Sequence, residues 1–194
     1  VGGGGGGGRG VVCGVGRGGV GGRIVGGTGW CAPAPRPLPG RRPGVAHAPS
    51  SSWLKGSEWV DPVLQRMDAA GLLTYRRVEN IAPIMMPSLL RHVDVVVDQI
   101  VVGNPGVLAA QAMAAGRLVL AHLPEPVRRR FAEPPPVVEA TPATLEQVLL
   151  TAIENPEYYS QIAAPGVEFA RTYHDGRRSA RTLTEAVGSD RSPP

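Results

Sequence analysis

Asp94-Val-Val-Val-Asp-Gln-Ile-Val-Val-Gly-Asn-Pro-Gly-Val-Leu-Ala-Ala-Gln-Ala-Met-Ala-Ala-Gly-Arg-Leu-Val-Leu-Ala-His122 decides the fold. Val95, Val96 and Val97 form a β-branched run that is apolar on both sides, the mark of a strand buried on two faces. Gly103-Asn104-Pro105-Gly106 is a turn. From Val107 to Ala115 the residues are small and helix-forming, Gly116 stops the helix, and Leu118-Val119-Leu120 opens a second buried strand. Strand, turn, helix, strand at this length is a parallel crossover. It carries the turn and the amino end of the helix to the carboxyl edge of the sheet, where open α/β sheets hold ligands.

The rest of the chain extends this unit in both directions. Val45 to Ala48 reads as a strand ending at Pro49, followed by a polar loop from Ser50 to Gly56. A helix is expected from Ser57 to Ala70, with Trp59, Val63, Leu64 and Met67 inward and Gly71 as its stop. Its cap is Ser57, or Asp61 if Pro62 marks the true first turn. Leu73 to Val78 is the next strand, Glu79 to Pro83 a turn, and Pro87 to His92 a short helix. After His122 come a helical turn around Val127 to Ala132 and a last strand at Val137-Val138. A helix capped at Thr141-Pro142 carries Leu145, Val148, Leu149 and Ile153, and further helices open at Pro156, Val167 and Asp175. This alternation predicts an α/β fold of the Rossmann-like kind, a parallel sheet with helices on both faces.

Composition sets the limits. Of the 27 glycines in 194 residues, 17 lie in the first 30 positions, and residues 31–43 add five prolines. Residues 1–43 therefore read as a disordered low-complexity tail, residues 44–188 as one domain and residues 189–194 as a disordered end. The formal net charge is +4, but residues 1–43 hold six arginines and no acid, which leaves −2 for the remainder. The folded part is not expected to bind nucleic acid. A third reading, that the Gly/Arg tail binds RNA, concerns the tail alone. The two cysteines, Cys13 and Cys31, both fall in the tail, so the chain offers no disulfide framework and no cysteine metal site. No apolar run is long enough for a transmembrane segment and no signal peptide opens the chain; the expected location is cytoplasmic.

Three loops follow three strands: Pro49 to Gly56, Glu79 to Pro83 and Gln99 to Gly106. In a parallel sheet all three open on one edge, and two of them lead into helix amino ends, whose free N–H groups favour phosphate. Lys55 is the single lysine of the chain. It is either a mobile positive charge for a terminal phosphate or an exposed solubilising group. Glu79 either faces a ligand or pairs with Arg76 or Arg77. Asn80 either faces a ligand or makes the turn. Asp98 and Gln99 are pocket residues or caps, and Gln111 is a ligand contact or a packing residue. His47, His92 and His122 read as structural histidines without metal-ligand spacing.

Taken in order, Ala48-Pro49-Ser50 with Lys55-Gly56, Val78-Glu79-Asn80, Val97-Asp98-Gln99 before the glycine turn, Ala112 to Gly116, Pro136-Val137-Val138 and Thr141-Pro142 resemble the carboxyl-terminal, donor-binding half of B-fold glycosyltransferases, nearest to the retaining family 4-type group. The likeness covers residues 45–187. It implies that Ser50, Ser51, Lys55 and Gly56, with Gly103, Asn104, Gly106 and Val107, hold the diphosphate of a UDP- or GDP-sugar donor substrate. Glu79, Asn80 and Ile81 would lie by the base. Gln111 stands where that family has a ribose-gripping glutamate, and Gly103 where it has a sugar-contacting one, eight residues earlier. Asp98 or Gln99 are the possible sugar contacts in its place. The resemblance implies no obligatory metal or other cofactor, and it implies an acceptor domain or separate subunit that residues 1–43 cannot supply. The expected chain is thus a truncated or split donor half, inactive alone. The alternative is a degenerate, non-catalytic module that binds a nucleotide or a partner.

Overall fold

The computed structural model describes residue 38 and residues 42–188, so the expected tail and carboxyl end fall almost wholly outside the described residues. Among the described residues five strands run in chain order: β1 Gly44–His47, β2 Thr74–Arg77, β3 Val95–Val97, β4 Leu118–Ala121 and β5 Val138–Glu139. They form one sheet in the order β2-β1-β3-β4-β5, and every pairing is parallel. The expected α/β class and the parallel sheet are both present.

The valine run shows why the sheet is covered twice. Val95 and Val97 point into one core with Val45, Leu118 and Leu120, while Val96 points into the other with Ala46, Val119 and Ala121. Helix α2 (Ser57–Ala69), α6 (Leu145–Glu154) and α7 (Pro156–Ala163) close the first face through Val60, Leu64, Met67, Leu145, Leu149 and Tyr159. Helix α3 (Met86–Arg91), α4 (Val107–Ala114) and α8 (Gly166–His174) close the second through Leu90, Leu108, Met113 and Phe169. Strand order reverses at β1: the chain leaves it toward β2 on one side and returns to β3 on the other. Parallel crossovers share one hand, so reversing direction sends the connecting helix to the opposite face. The helices diverge there, and a crevice opens between the carboxyl ends of β1 and β3.

Several elements differ from the sequence expectation in their limits. The loop after β1 contains a one-turn helix, α1 (Ser52–Lys55). Helix α2 begins from Gly56 with no side-chain cap, and Pro62 lies inside it. Its buried positions are Ser57, Val60, Leu64 and Met67, and Trp59 is 53% exposed. Leu64 and Met67 are inward as expected and Val63 packs on the same core, so Trp59 is the one expected position that faces out, with Val60 inward beside it; the buried Ser57 hydroxyl bonds the His47 ring. Thr141-Pro142 precedes α6 rather than opening it. The first helical residue is Leu145, and the Thr141 carbonyl accepts from both Thr144 and Leu145 N–H at 3.0 Å. The helix after β4, α5, spans Glu125–Arg128. The described residues end in α9 (Arg177–Gly188). Leu38, inside the stretch expected to stay outside the fold, is buried in the first core, and its N–H donates to Ser160 Oγ at 2.8 Å.

The glycine stop of α4 behaves as expected. Gly116 is left-handed at φ +66°, and Arg117 N–H reaches back to Ala112 O at 2.9 Å. Gly166 serves a different need. A Cβ there would lie 3.3 Å from the Met113 carbonyl oxygen, so its bareness lets α8 pack directly against α4.

Candidate functional site

A cleft of about 540 Å³ opens at the strand-order reversal. Its walls come from the three expected turns: Ala48, Pro49, Ser50, Leu54 and Lys55 after β1; Val78, Asn80, Ile81 and Met86 after β2; and Gln99, Gly106, Val107, Leu108 and Gln111 after β3. A parallel sheet leaves them no alternative, since each turn follows the carboxyl end of its strand.

Lys55 is placed by α1. One helical turn after Ser51 brings it under the sheet edge, where Gly56, left-handed at φ +73°, ends α1 and starts α2. The side chain is 9% exposed, and its ammonium donates to Asp98 Oδ1. Asp98 itself is fully buried, directly after β3. Its second oxygen, Oδ2, accepts the N–H of Gly106 at 2.7 Å, the residue that precedes α4. A Cβ on Gly106 would stand 2.7 Å from both Lys55 Nζ and Asp98 Oδ2. Only glycine permits this three-way approach. The lysine is therefore neither the exposed group nor the mobile charge of the sequence alternatives; it is an anchored ammonium lining the cleft.

The remaining candidates divide into those that line the cleft and those that hold it. Ser50, Asn80, Ile81, Gln99, Val107 and Gln111 line it with Lys55 and Gly106. Asn80 adopts φ +52°, a left-handed conformation that Asn tolerates, and this aims the turn after β2 across the cleft. Gln111 lies one helical turn beyond Val107 on α4. Gln99 Nε2 donates to the Asn104 carbonyl, tying the start of the β3 loop to its tip.

Ser51, Gly56, Glu79, Asp98, Gly103 and Asn104 are not in the cleft wall. Glu79 pairs with Arg77, which also binds Asp61, and the Tyr75 hydroxyl donates to the same Asp61 at 2.6 Å. These contacts raise the Arg77 pKa, and burial with the Asp61 bond raises that of Tyr75. The carboxylate pair thus fixes the end of β2 from outside. Gly103 sits against Pro124, where a Cβ would meet the ring at 2.7 Å, so its bareness serves loop packing.

His47 is structural. Its Nδ1–H donates to Val97 O at 2.9 Å, and Nε2 accepts from Ser57 Oγ at 2.8 Å, joining β1, β3 and α2 beneath the cleft. Burial holds its pKa below the ordinary 6.5. His122 pairs with Glu139, whose other oxygen accepts from Leu123 N–H at 2.7 Å. His92 bonds Ser88 O at 2.7 Å. Among the described residues no group of three or more His, Cys, Asp or Glu side chains is placed to hold a metal ion.

Asp98, read as a sugar contact or a cap, accepts the N–H of Gly106 at the amino end of α4; what the sequence reading lacked is its second partner, the Lys55 ammonium. Its signal was present: an acid directly after a fully buried strand needs a cation or N–H groups to stay there.

No protein-family model matches the chain, nor does any curated protein. Solved structures do. HepE of Anabaena in complex with UDP-glucose superposes with a TM-score of 0.57 at 18% identity, covering 76% of this chain and 49% of that one. The same protein in complex with UDP and glucose gives 0.58 at 17% identity, covering 77% and 49%. The carboxyl-terminal domain of the glycosyl transferase group 1 family protein LpcC of Francisella tularensis gives 0.53 at 17% identity, covering 76% of this chain and 97% of that domain. The fold is shared with that carboxyl-terminal domain and with about half of HepE. At these identities the likeness concerns the fold. The chain spans about half the length of HepE, 49% of it. Among the described residues no helix is long and apolar enough to cross a membrane.

Proposed function

We propose that the cleft binds a UDP- or GDP-sugar and that this chain is the donor-binding half of a glycosyltransferase. One observation carries the reading: three strand-end turns meet at the strand-order reversal around an anchored ammonium and the amino end of α4. Anchored N–H donors and a cation facing a crevice are what a diphosphate needs. The structures of HepE with UDP and with UDP-glucose support the choice of ligand.

In this reading Lys55, Ser50 and the amide of Val107 hold the diphosphate, with Gly106, tied to Asp98 through its own N–H, and Ser51, Gly56, Gly103 and Asn104 shaping the turns that present them. Asn80 and Ile81 line the base end, with Glu79 bracing that turn through Arg77. Gln111 meets the ribose, and Gln99 reaches the sugar. As the glycosidic bond breaks, negative charge grows on the departing nucleoside diphosphate, and the ammonium and amide stabilise it. Transfer would retain the configuration at the sugar carbon, as the sequence resemblance to the family 4-type group implies. The acceptor would sit on a second domain or separate subunit over the same rim, where Trp53, Leu54, Ile84, Met85, Val101, Val102 and Val107 expose apolar surface. Alone, the chain would bind donor without transferring sugar. We assign it to the cytoplasm.

The test is thermal denaturation of the full chain with UDP and with GDP. At a hundredfold excess over Kd, binding contributes about 2.7 kcal/mol, roughly 5–10 °C in Tm for a domain of this size. No shift with either nucleotide refutes the reading.

One feature favours a second reading, a non-catalytic nucleotide-binding module: the charge of Lys55 is already matched by Asp98. That reading holds if nucleotide binds but UDP- and GDP-sugars remain intact when an acceptor domain is supplied.

A further inference from the structure

Asp98 is not among the residues that line the cleft, yet two residues that do, Lys55 and Gly106, are both tied to it. Its Oδ1 takes the Lys55 ammonium from α1, and its Oδ2 takes the Gly106 N–H from the start of α4, at 2.7 Å. Its own N–H donates to Leu120 O at 2.9 Å, extending the ladder between β3 and β4, so the carboxylate is carried by the rigid centre of the sheet. Full burial leaves it no solvent partner in exchange. We propose that Asp98 is the positioning residue of the anion site: from beneath, it fixes the ammonium against the amino end of α4 before ligand arrives. The assignment rests on the donor-binding reading of the cleft.

Two physical expectations point in opposite directions, which makes the proposal decidable. If Asp98 were only a counter-charge, removing its charge would free the ammonium and tighten anion binding. If it positions, the neutral amide must fail, because Asn has one acceptor oxygen for two donors and turns its NH₂ toward the other.

The experiment uses the full chain and UDP as probe. Titration calorimetry on folded protein is expected to show Kd raised at least tenfold by Asp98→Asn. In a Lys55→Met background the same change shifts Kd less than threefold, since no ammonium remains to be positioned; a general structural defect would act equally in both backgrounds. Because Lys55 is the single lysine, ¹⁵N-lysine labelling of the wild-type chain gives one side-chain resonance. It should be visible without ligand, as expected for an ammonium shielded from exchange, and should move saturably with UDP.

Asp98→Asn binding UDP as tightly as wild type, or more tightly, overturns the positioning role and leaves the donor reading standing. If Asp98→Asn does not fold, a lysine resonance unmoved at saturating UDP overturns it instead. Wild-type protein that binds neither UDP nor GDP removes both.

Discussion

Replacing Lys55 by Met tests the charge arrangement through stability alone. The substitution keeps an unbranched side chain up to Cε, with sulfur in place of Cδ, and removes the ammonium. Asp98, fully buried, then keeps the Gly106 N–H at 2.7 Å and loses its cation. Removing one partner of a buried pair costs about 3–5 kcal/mol, because the other charge stays in place uncompensated. The surviving Gly106 bond argues for the lower end, about 3 kcal/mol, and at roughly 2–4 °C per kcal/mol the Tm falls by about 6–12 °C. Adding Asp98→Asn to Lys55→Met removes the orphaned charge, and the Asn carbonyl still accepts from Gly106. The double variant should therefore recover at least half of the loss. Circular dichroism melting of the three proteins at pH 7 is the assay. A loss under about 2 °C for Lys55→Met, or a double variant as unstable as the single one, refutes the reasoning that the pair is buried and interdependent.

Gly56→Ala should cost about 2–3 kcal/mol in urea denaturation, since φ is +73° and the new Cβ would meet Val101 Cγ2 at 2.7 Å; a cost below about 0.5 kcal/mol contradicts that geometry. Burial lowers the pKa of His47 and of His174, so each is held neutral in the folded protein while the unfolded chain takes up protons from 6.5 downward. Stability should consequently fall as pH drops below that value. The nearby Asp61 and Asp98 act in the opposite sense on His47 without reversing it. His47→Gln should flatten the acid limb of the Tm profile, and an unchanged slope would show that His47 does not contribute. Gln111→Glu offers a charged acceptor to ribose hydroxyls, a gain of about 1–2 kcal/mol that calorimetry would read as roughly tenfold tighter UDP binding. Unchanged affinity would mean that position 111 does not face the ribose.

Much of this architecture follows from local chemistry. The Val95-Val96-Val97 run could be only a strand buried on both sides, because any exposed face would strand a valine in water. The glycines at 71 and 116 stopped their helices in left-handed turns, as bare backbone allows. Three strand-end turns on one rim followed from parallel connection alone, and with them most of the cleft wall. Helix phase and helix starts were less legible. Trp59 and Val60 carry similar apolar weight, and the structure buries Val60 on the face that also holds Leu64, Met67 and the Ser57 contact to His47, ten residues away.

The sequence by itself determined the class of fold, the edge at which the turns gather and the presence of a lone ammonium among them, since these depend on neighbours within a few positions. Only the tertiary structure decided what that ammonium does. Asp98 lies 43 residues from Lys55, and Gly106 must be bare for the two to meet beneath the amino end of α4. Such a contact comes from chain segments brought together by the sheet, and no local pattern of residues encodes it.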